Sequence, residues 1–137
     1  MTATPRNVSL FRASLPVILW AAVIFAASSI PSDVIPPTEF FQIDKLAHAG
    51  VFGVFCGLFY RTLVVKATPM DDRRALLISI FATAVYGAAD EFHQYFVPGR
   101  AVDFYDWLAD VIGAVVCVLL ILSVKRLRRA APQESPR

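Results

Sequence analysis

The sequence predicts an all-α integral membrane protein, a bundle of four transmembrane helices. Three observations carry that reading. The chain is 57% hydrophobic and 18% charged, with a mean hydropathy of +0.59, whereas a soluble domain is nearer half apolar and a quarter charged. The apolar residues gather in four runs of about 15 residues or more, against the roughly 20 that cross a ~30 Å hydrocarbon layer. The charges fall at the ends of those runs. A soluble domain of 137 residues must cover much of its surface with polar groups, and this chain lacks them.

The first run, Ser14 to Ile30, carries no charge and is stopped by Pro31 and by Pro36-Pro37. Taken alone, with Arg6 and Arg12 before it and small residues after it, it also describes a secretory signal peptide. The three runs that follow argue for a retained span. The second, Leu46 to Tyr60, is interrupted by His48, closed by Arg61 and extendable to Val65. The third goes from about Ala75 through Ala89 into Asp90, Glu91, His93 and Gln94, and Pro98-Gly99 ends it. The fourth starts near Asp106, is wholly apolar from Val111 to Val124, and meets Lys125, Arg126, Arg128 and Arg129. Short apolar runs can also be buried strands of a small α/β domain, but these exceed the usual strand of three to ten residues. The domain so defined spans 14–124, between a cytoplasmic segment 1–13 and a basic, disordered cytoplasmic tail 125–137.

Four crossings place the N-terminus, the 66–74 loop and the tail on one side. That side receives eleven cations: Arg6, Arg12, Arg61, Lys66, Arg73, Arg74, Lys125, Arg126, Arg128, Arg129 and Arg137. The other receives Lys45 and Arg100. The positive-inside rule makes the first side cytoplasmic, so the expected location is the cytoplasmic membrane, multi-pass, with both termini inside. The net charge of +2 suits an anionic lipid surface and gives no reason to expect a nucleic-acid partner. Cys56 and Cys117 stand in apolar runs without the spacing of a zinc knuckle or redox pair and read as small hydrophobes.

Laid side by side, the spans bring their carboxylates and histidines to the non-cytoplasmic face. Asp44, Lys45 and His48 share one helical face by three- and four-residue spacing; so do Asp90, His93 and Gln94, and so do Asp103, Asp106 and Asp110. Asp44 and Asp103 have a sufficient structural reading: Asp44 as an N-cap, Asp103 or Asp106 as the start of the fourth helix, with Arg100 pairing with either aspartate. Asp90, His93 and Asp110 lie within or beside apolar helix, where ionisable groups need partners or a wet cavity, and point to a functional site. Asp90 and Glu91 sit where the helix dipole disfavours anions, so a cation is expected near them: Lys45, Arg100, a protonated histidine or a metal. Two histidines among carboxylates can ligate a divalent metal such as zinc or manganese, although no HExxH or close histidine pair is present. A histidine beside an aspartate can act as base or nucleophile, and lysine and arginine can clamp a phosphate. Ser28, Ser29 and Ser32 can add hydroxyls, and read better as helix-end and loop residues.

Three blocks in order, DKLAH at 44–48, DEFHQYFVPGR at 90–100 and DFYDWLADVIG at 103–113, each at a helix end, resemble the VanZ-like membrane proteins, a family named for a teicoplanin-resistance accessory protein. The resemblance covers roughly residues 14–124. It carries the family motif onto Asp44, Lys45, His48, Asp90, Glu91, His93, Gln94, Pro98, Gly99, Arg100, Asp106 and Gly113. Combined with the chemistry above, His48, His93, Asp90, Glu91 and Asp106 become the catalytic candidates. Lys45, Gln94, Arg100 and Asp110 become substrate-binding candidates, and Asp44, Pro98, Gly99 and Gly113 structural ones. Asp110 departs from the pattern, where such proteins often have asparagine, and Cys117 stands where a second small residue is usual. The resemblance implies a link to glycopeptide resistance, a phenotype that specifies no reaction. The function expected is recognition or modification of an anionic, lipid-linked headgroup at the outer face of the cytoplasmic membrane, the partner being a membrane lipid or lipid-linked cell-wall intermediate. The rival is a non-enzymatic accessory protein whose polar network packs helices.

Overall fold

The computed structural model describes residues 9–32, 41–65 and 70–130, with backbone alone for Phe41 and Gln42. Among them are four helices and no strand: α1 (Leu10–Ser28), α2 (Phe41–Val65), α3 (Asp72–Gln94) and α4 (Phe104–Ala130). Each is long and apolar enough to cross a membrane. The shortest, of 19 residues, reaches about 28 Å at ~1.5 Å per residue. Arg6, Asp33, Glu39, Lys66 and Arg137, as well as 131–137 of the expected tail, lie outside the described residues.

The boundaries differ from the sequence reading where polar residues join a helix. α1 starts at Leu10 because the Ser9 hydroxyl caps it, accepting from the Arg12 N–H. α2 starts at Phe41, which puts Asp44 inside the first turn and corrects its reading as an N-cap. Asp103 directly precedes α4, and its carboxylate accepts from the Tyr105 N–H at 2.8 Å. α4 continues through Lys125–Arg129 to Ala130, so the disordered tail expected from 125 is helical in its first turn and a half. Cations near a helix C-terminus are favoured by its dipole.

The helices run alternately up and down. Tyr60, Asp72 and Lys125 meet at one end of the bundle, and Ser28, Asp90, Lys45 and Asp103 meet at the other. α2 and α4 form the closest pair. A Cβ on Gly113 would collide with the Ala49 backbone carbonyl, and one on Gly53 would stand 3.1 Å from the Gly113 oxygen. Small residues let backbones approach where lipid offers no hydrophobic drive for helix association. Two apolar clusters fill the rest. Cys56, Tyr60, Ala75, Leu76, Ala114 and Val118 join α2, α3 and α4, and Val17, Ile24, Phe52 and Phe55 join α1 to α2.

Several hydroxyl and indole groups in the spans find backbone partners, as a medium without water favours. Ser79 donates to Ala75 O at 2.7 Å and Thr83 to Ser79 O at 2.8 Å. Trp20 Nε1 donates to Val51 O and the Tyr86 hydroxyl to Ala21 O, each a stitch from α1 to a neighbour. Large apolar side chains such as Leu19, Phe81, Leu120 and Leu122 face outward, in the manner of a lipid-facing surface.

Candidate functional site

The polar end is built from three neighbouring networks. In the first, Lys45 of α2 reaches across to α4. Its Nζ donates to Asp103 Oδ2 at 2.6 Å and also to Asp106 Oδ1, and stands 3.7 Å from Asp44 Oδ2. This ammonium holds the Asp103 carboxyl below the usual aspartate range, helped by the Tyr105 N–H. Arg100, expected to pair with Asp103 or Asp106, instead gives its Nε–H to Ile30 O at 3.2 Å. It thereby ties the 95–103 loop to the end of α1. Gly99 turns that loop at φ 74°, against Ser32.

One turn deeper lies the second network. His48 Nδ1 is 3.0 Å from Asp110 Oδ1, and its Nε2 is 4.0 Å from Asp106 Oδ2. Asp110 has no exposed surface. When Asp110 is ionised its carboxylate can only accept, and Nδ1 carries the proton that joins the two. In the neutral ring the lone pair is then on Nε2, turned toward Asp106. This is the tautomer control that orients catalytic and metal-binding histidines. Gly87 makes the arrangement possible, since a Cβ there would come within 2.6 Å of Asp110 Oδ2. That second oxygen is buried without a hydrogen-bond partner.

The third network belongs to α3. Asp90 Oδ2 accepts from the Ser28 hydroxyl at 2.8 Å and from Gln94 Nε2 at 3.1 Å. Glu91 Oε2 accepts from the Asp103 N–H at 2.8 Å, and its Oε1 is buried without a partner. The groups bonded directly to Asp90 and Glu91 are neutral donors, a hydroxyl, an amide and a backbone N–H, while two of the cation candidates, Arg100 and His48, line the same cavity as Asp90. His93 points elsewhere. Its ring lies over Phe25, with centroids 4.4 Å apart, and its Nε2 is 3.0 Å from Ser29 Oγ. Because that hydroxyl gives its one proton to Phe25 O at 2.7 Å, Nε2–H donates to Ser29.

A cavity of about 220 Å³ opens among these groups. Its polar end is formed by Asp44, His48, Asp90, Gln94 and Arg100, with Ser28, and its apolar wall by Ile24, Ala47, Val51 and Phe52. His93, Glu91, Asp106 and Asp110 do not line it. Of the residues singled out in the sequence, the cavity therefore unites His48 with Asp44, Asp90, Gln94 and Arg100. Lys45 and Asp106 stand behind His48, and His93 is turned to the α1 seam. Asp44, His48 and Asp106 each place a donor atom within 4.8 Å of the others, close enough for one divalent ion. The Lys45 ammonium already lies on Asp106 and would compete with such an ion. The sequence reading set Ser28 and Ser29 aside as helix-end residues. Their position on the same membrane face as Asp90 and His93 was the available signal. The Tyr60–Asp72–Lys125 triad at the opposite end was missed as well, its members being scattered over three helix ends.

Fold and site together define a polytopic, four-helix membrane protein with a histidine–carboxylate cluster at one end of the bundle. The VanZ/LLP1 family model matches residues 13–126, and the chain belongs to that family. No curated protein and no solved structure matched the chain.

Proposed function

We propose that this protein is a cell-envelope component that receives a lipid-linked headgroup in the cavity between α1, α2 and α3, at the outer face of the cytoplasmic membrane. The observation that carries the reading is the grading of the cavity wall, polar at the bundle end and apolar one turn deeper. An amphiphile fits that gradient, its headgroup against His48 and Arg100 and its chain along Ile24, Val51 and Phe52. A phosphate would meet Arg100, whose planar fork suits it. Asp44 and Asp90 call for hydroxyl or amine donors on the same headgroup, as a sugar- or peptide-bearing lipid supplies. The volume is below that of usual ligand pockets, about 300–1,000 Å³, so the reacting end and the start of the chain enter and the remainder stays outside. His48, oriented by Asp110, is the group fit to move a proton or attack. The orientation with both termini cytoplasmic rests on the eleven-to-two cation split, and the family supplies the link to glycopeptide resistance.

One observation favours the non-enzymatic alternative. Lys45, Asp103 and Asp106 pair with one another, and His93 packs on Phe25, so much of the motif joins helices. The test uses purified protein in phosphatidylcholine nanodiscs, titrated with a polyprenyl-phosphate-linked sugar and read by native mass spectrometry. Binding by the wild type and its loss in Arg100→Gln and in Ala27→Trp, which puts an indole into the cavity that Ala27 lines and replaces no polar residue, is the expected result. Equal binding by all three proteins would remove the cavity from the function.

A further inference from the structure

At the opposite end of the bundle a second groove of about 510 Å³ runs between α3 and α4. Its floor is apolar, formed by Leu76, Leu77, Ile80, Val118 and Leu122, and its mouth carries Arg73, Lys125, Arg126 and Arg129. Asp72 is the one carboxylate in that lining, and it is already neutralised. Its Oδ2 accepts from Lys125 and its Oδ1 from the Tyr60 hydroxyl at 2.8 Å, while Lys125 also reaches the Tyr60 oxygen at 2.5 Å. With that pair closed, the three arginines leave the mouth with an excess of three positive charges over an apolar trough. We propose that this groove is a specific site for one anionic phospholipid of the cytoplasmic leaflet, its phosphate between Arg73, Arg126 and Arg129 and its acyl chains along Leu77, Ile80 and Leu122. Basic pockets between helices at the cytoplasmic surface bind such headgroups by charge, with the chains adding apolar contact.

Charge alone does not single out this groove, because every basic residue on that side attracts anionic lipid. Its members do. Arg73, Arg126 and Arg129 line the groove, whereas Arg61, Arg74 and Arg128 bear the same charge at the same end and do not. The experiment compares the wild type with two triple variants, Arg73→Gln/Arg126→Gln/Arg129→Gln and Arg61→Gln/Arg74→Gln/Arg128→Gln. All are purified in a neutral detergent and titrated with phosphatidylglycerol or phosphatidylcholine, so the orientation in a membrane plays no part. Bound lipid is counted by native mass spectrometry and melting is followed in parallel. The wild type should retain one phosphatidylglycerol in preference to phosphatidylcholine. The groove triple should lose roughly a hundredfold in affinity, from about fivefold per basic residue, and the second triple should change little. Leu122→Trp, which narrows the trough and keeps every charge, should weaken retention as well. Equal losses in both triples would make the effect general adsorption, and retention by the groove triple or by Leu122→Trp would place the lipid elsewhere; either result overturns the proposal.

Discussion

Replacing His48 with leucine removes the hydrogen-bond partner of a carboxylate that has no exposed surface and whose other oxygen is already unpartnered. Cutting one side of a buried pair costs about 3–5 kcal/mol, because the remaining group keeps its desolvation penalty. The converse variant is Asp110→Ala, which removes the carboxylate and leaves His48 in place. It strands a less demanding N–H and costs about 1–3 kcal/mol. The double variant removes both polar groups and should cost only about 1–2 kcal/mol in lost packing. A coupling of at least about 2 kcal/mol follows from those costs, in the upper part of the range for contacting residues or beyond it. Denaturant unfolding of the four proteins in one detergent measures it, alongside lipid binding and glycopeptide susceptibility. All three variants should lose function, the double one while nearly as stable as the wild type. Additive single effects would refute the pairing, and a stable double variant with full function would refute the role given to His48.

Three further outcomes are expected. With Cys56 and Cys117 replaced, single cysteines at positions 38 and 102 should label from outside the cell and one at 70 only after permeabilisation; the reverse pattern would invert the topology. Gly113→Leu should push α4 from the Ala49 carbonyl and cost about 1–3 kcal/mol by overpacking, read as lower melting with lipid binding lost in proportion to unfolding. Lys45 holds the Asp103 carboxyl low, so that contribution is complete above the unfolded aspartate value of about 3.9 and disappears as pH falls through the lower folded value. Wild-type stability should therefore fall below about pH 4 more steeply than that of Lys45→Met, and parallel acid titrations would contradict the assignment.

Much of this arrangement was legible before folding. Four apolar runs bounded by charge gave four helices, because lipid tolerates only spans whose backbone bonds are internal. The period of 3.6 residues put Asp90 and Gln94 on one face, where they do bond. The convergence of helix ends followed from counting crossings. What the period cannot give is the rotation of each helix about its axis. That is set by the Gly53–Gly113 approach and by stitches such as Trp20 to Val51. Rotation separated the two histidines, sending His48 to Asp110 and the cavity and His93 to Phe25 and Ser29.

Partner choice was also decided in three dimensions. Local spacing favoured Arg100 for Asp103 and Asp106, three and six residues on in the chain, yet Lys45 takes both from α2. The dipole argument asked for a cation near Asp90 and Glu91; the direct bonds come from neutral donors of α1, α3 and the loop before α4, and Arg100 and His48 reach the same cavity as Asp90 without bonding to it. The sequence by itself determined which residues must leave lipid and at which end they gather, because transfer free energy depends on residue type and order along the chain. The tertiary structure alone decided which of them touch, because a hydrogen bond depends on the relative rotation and spacing of helices that no local pattern encodes.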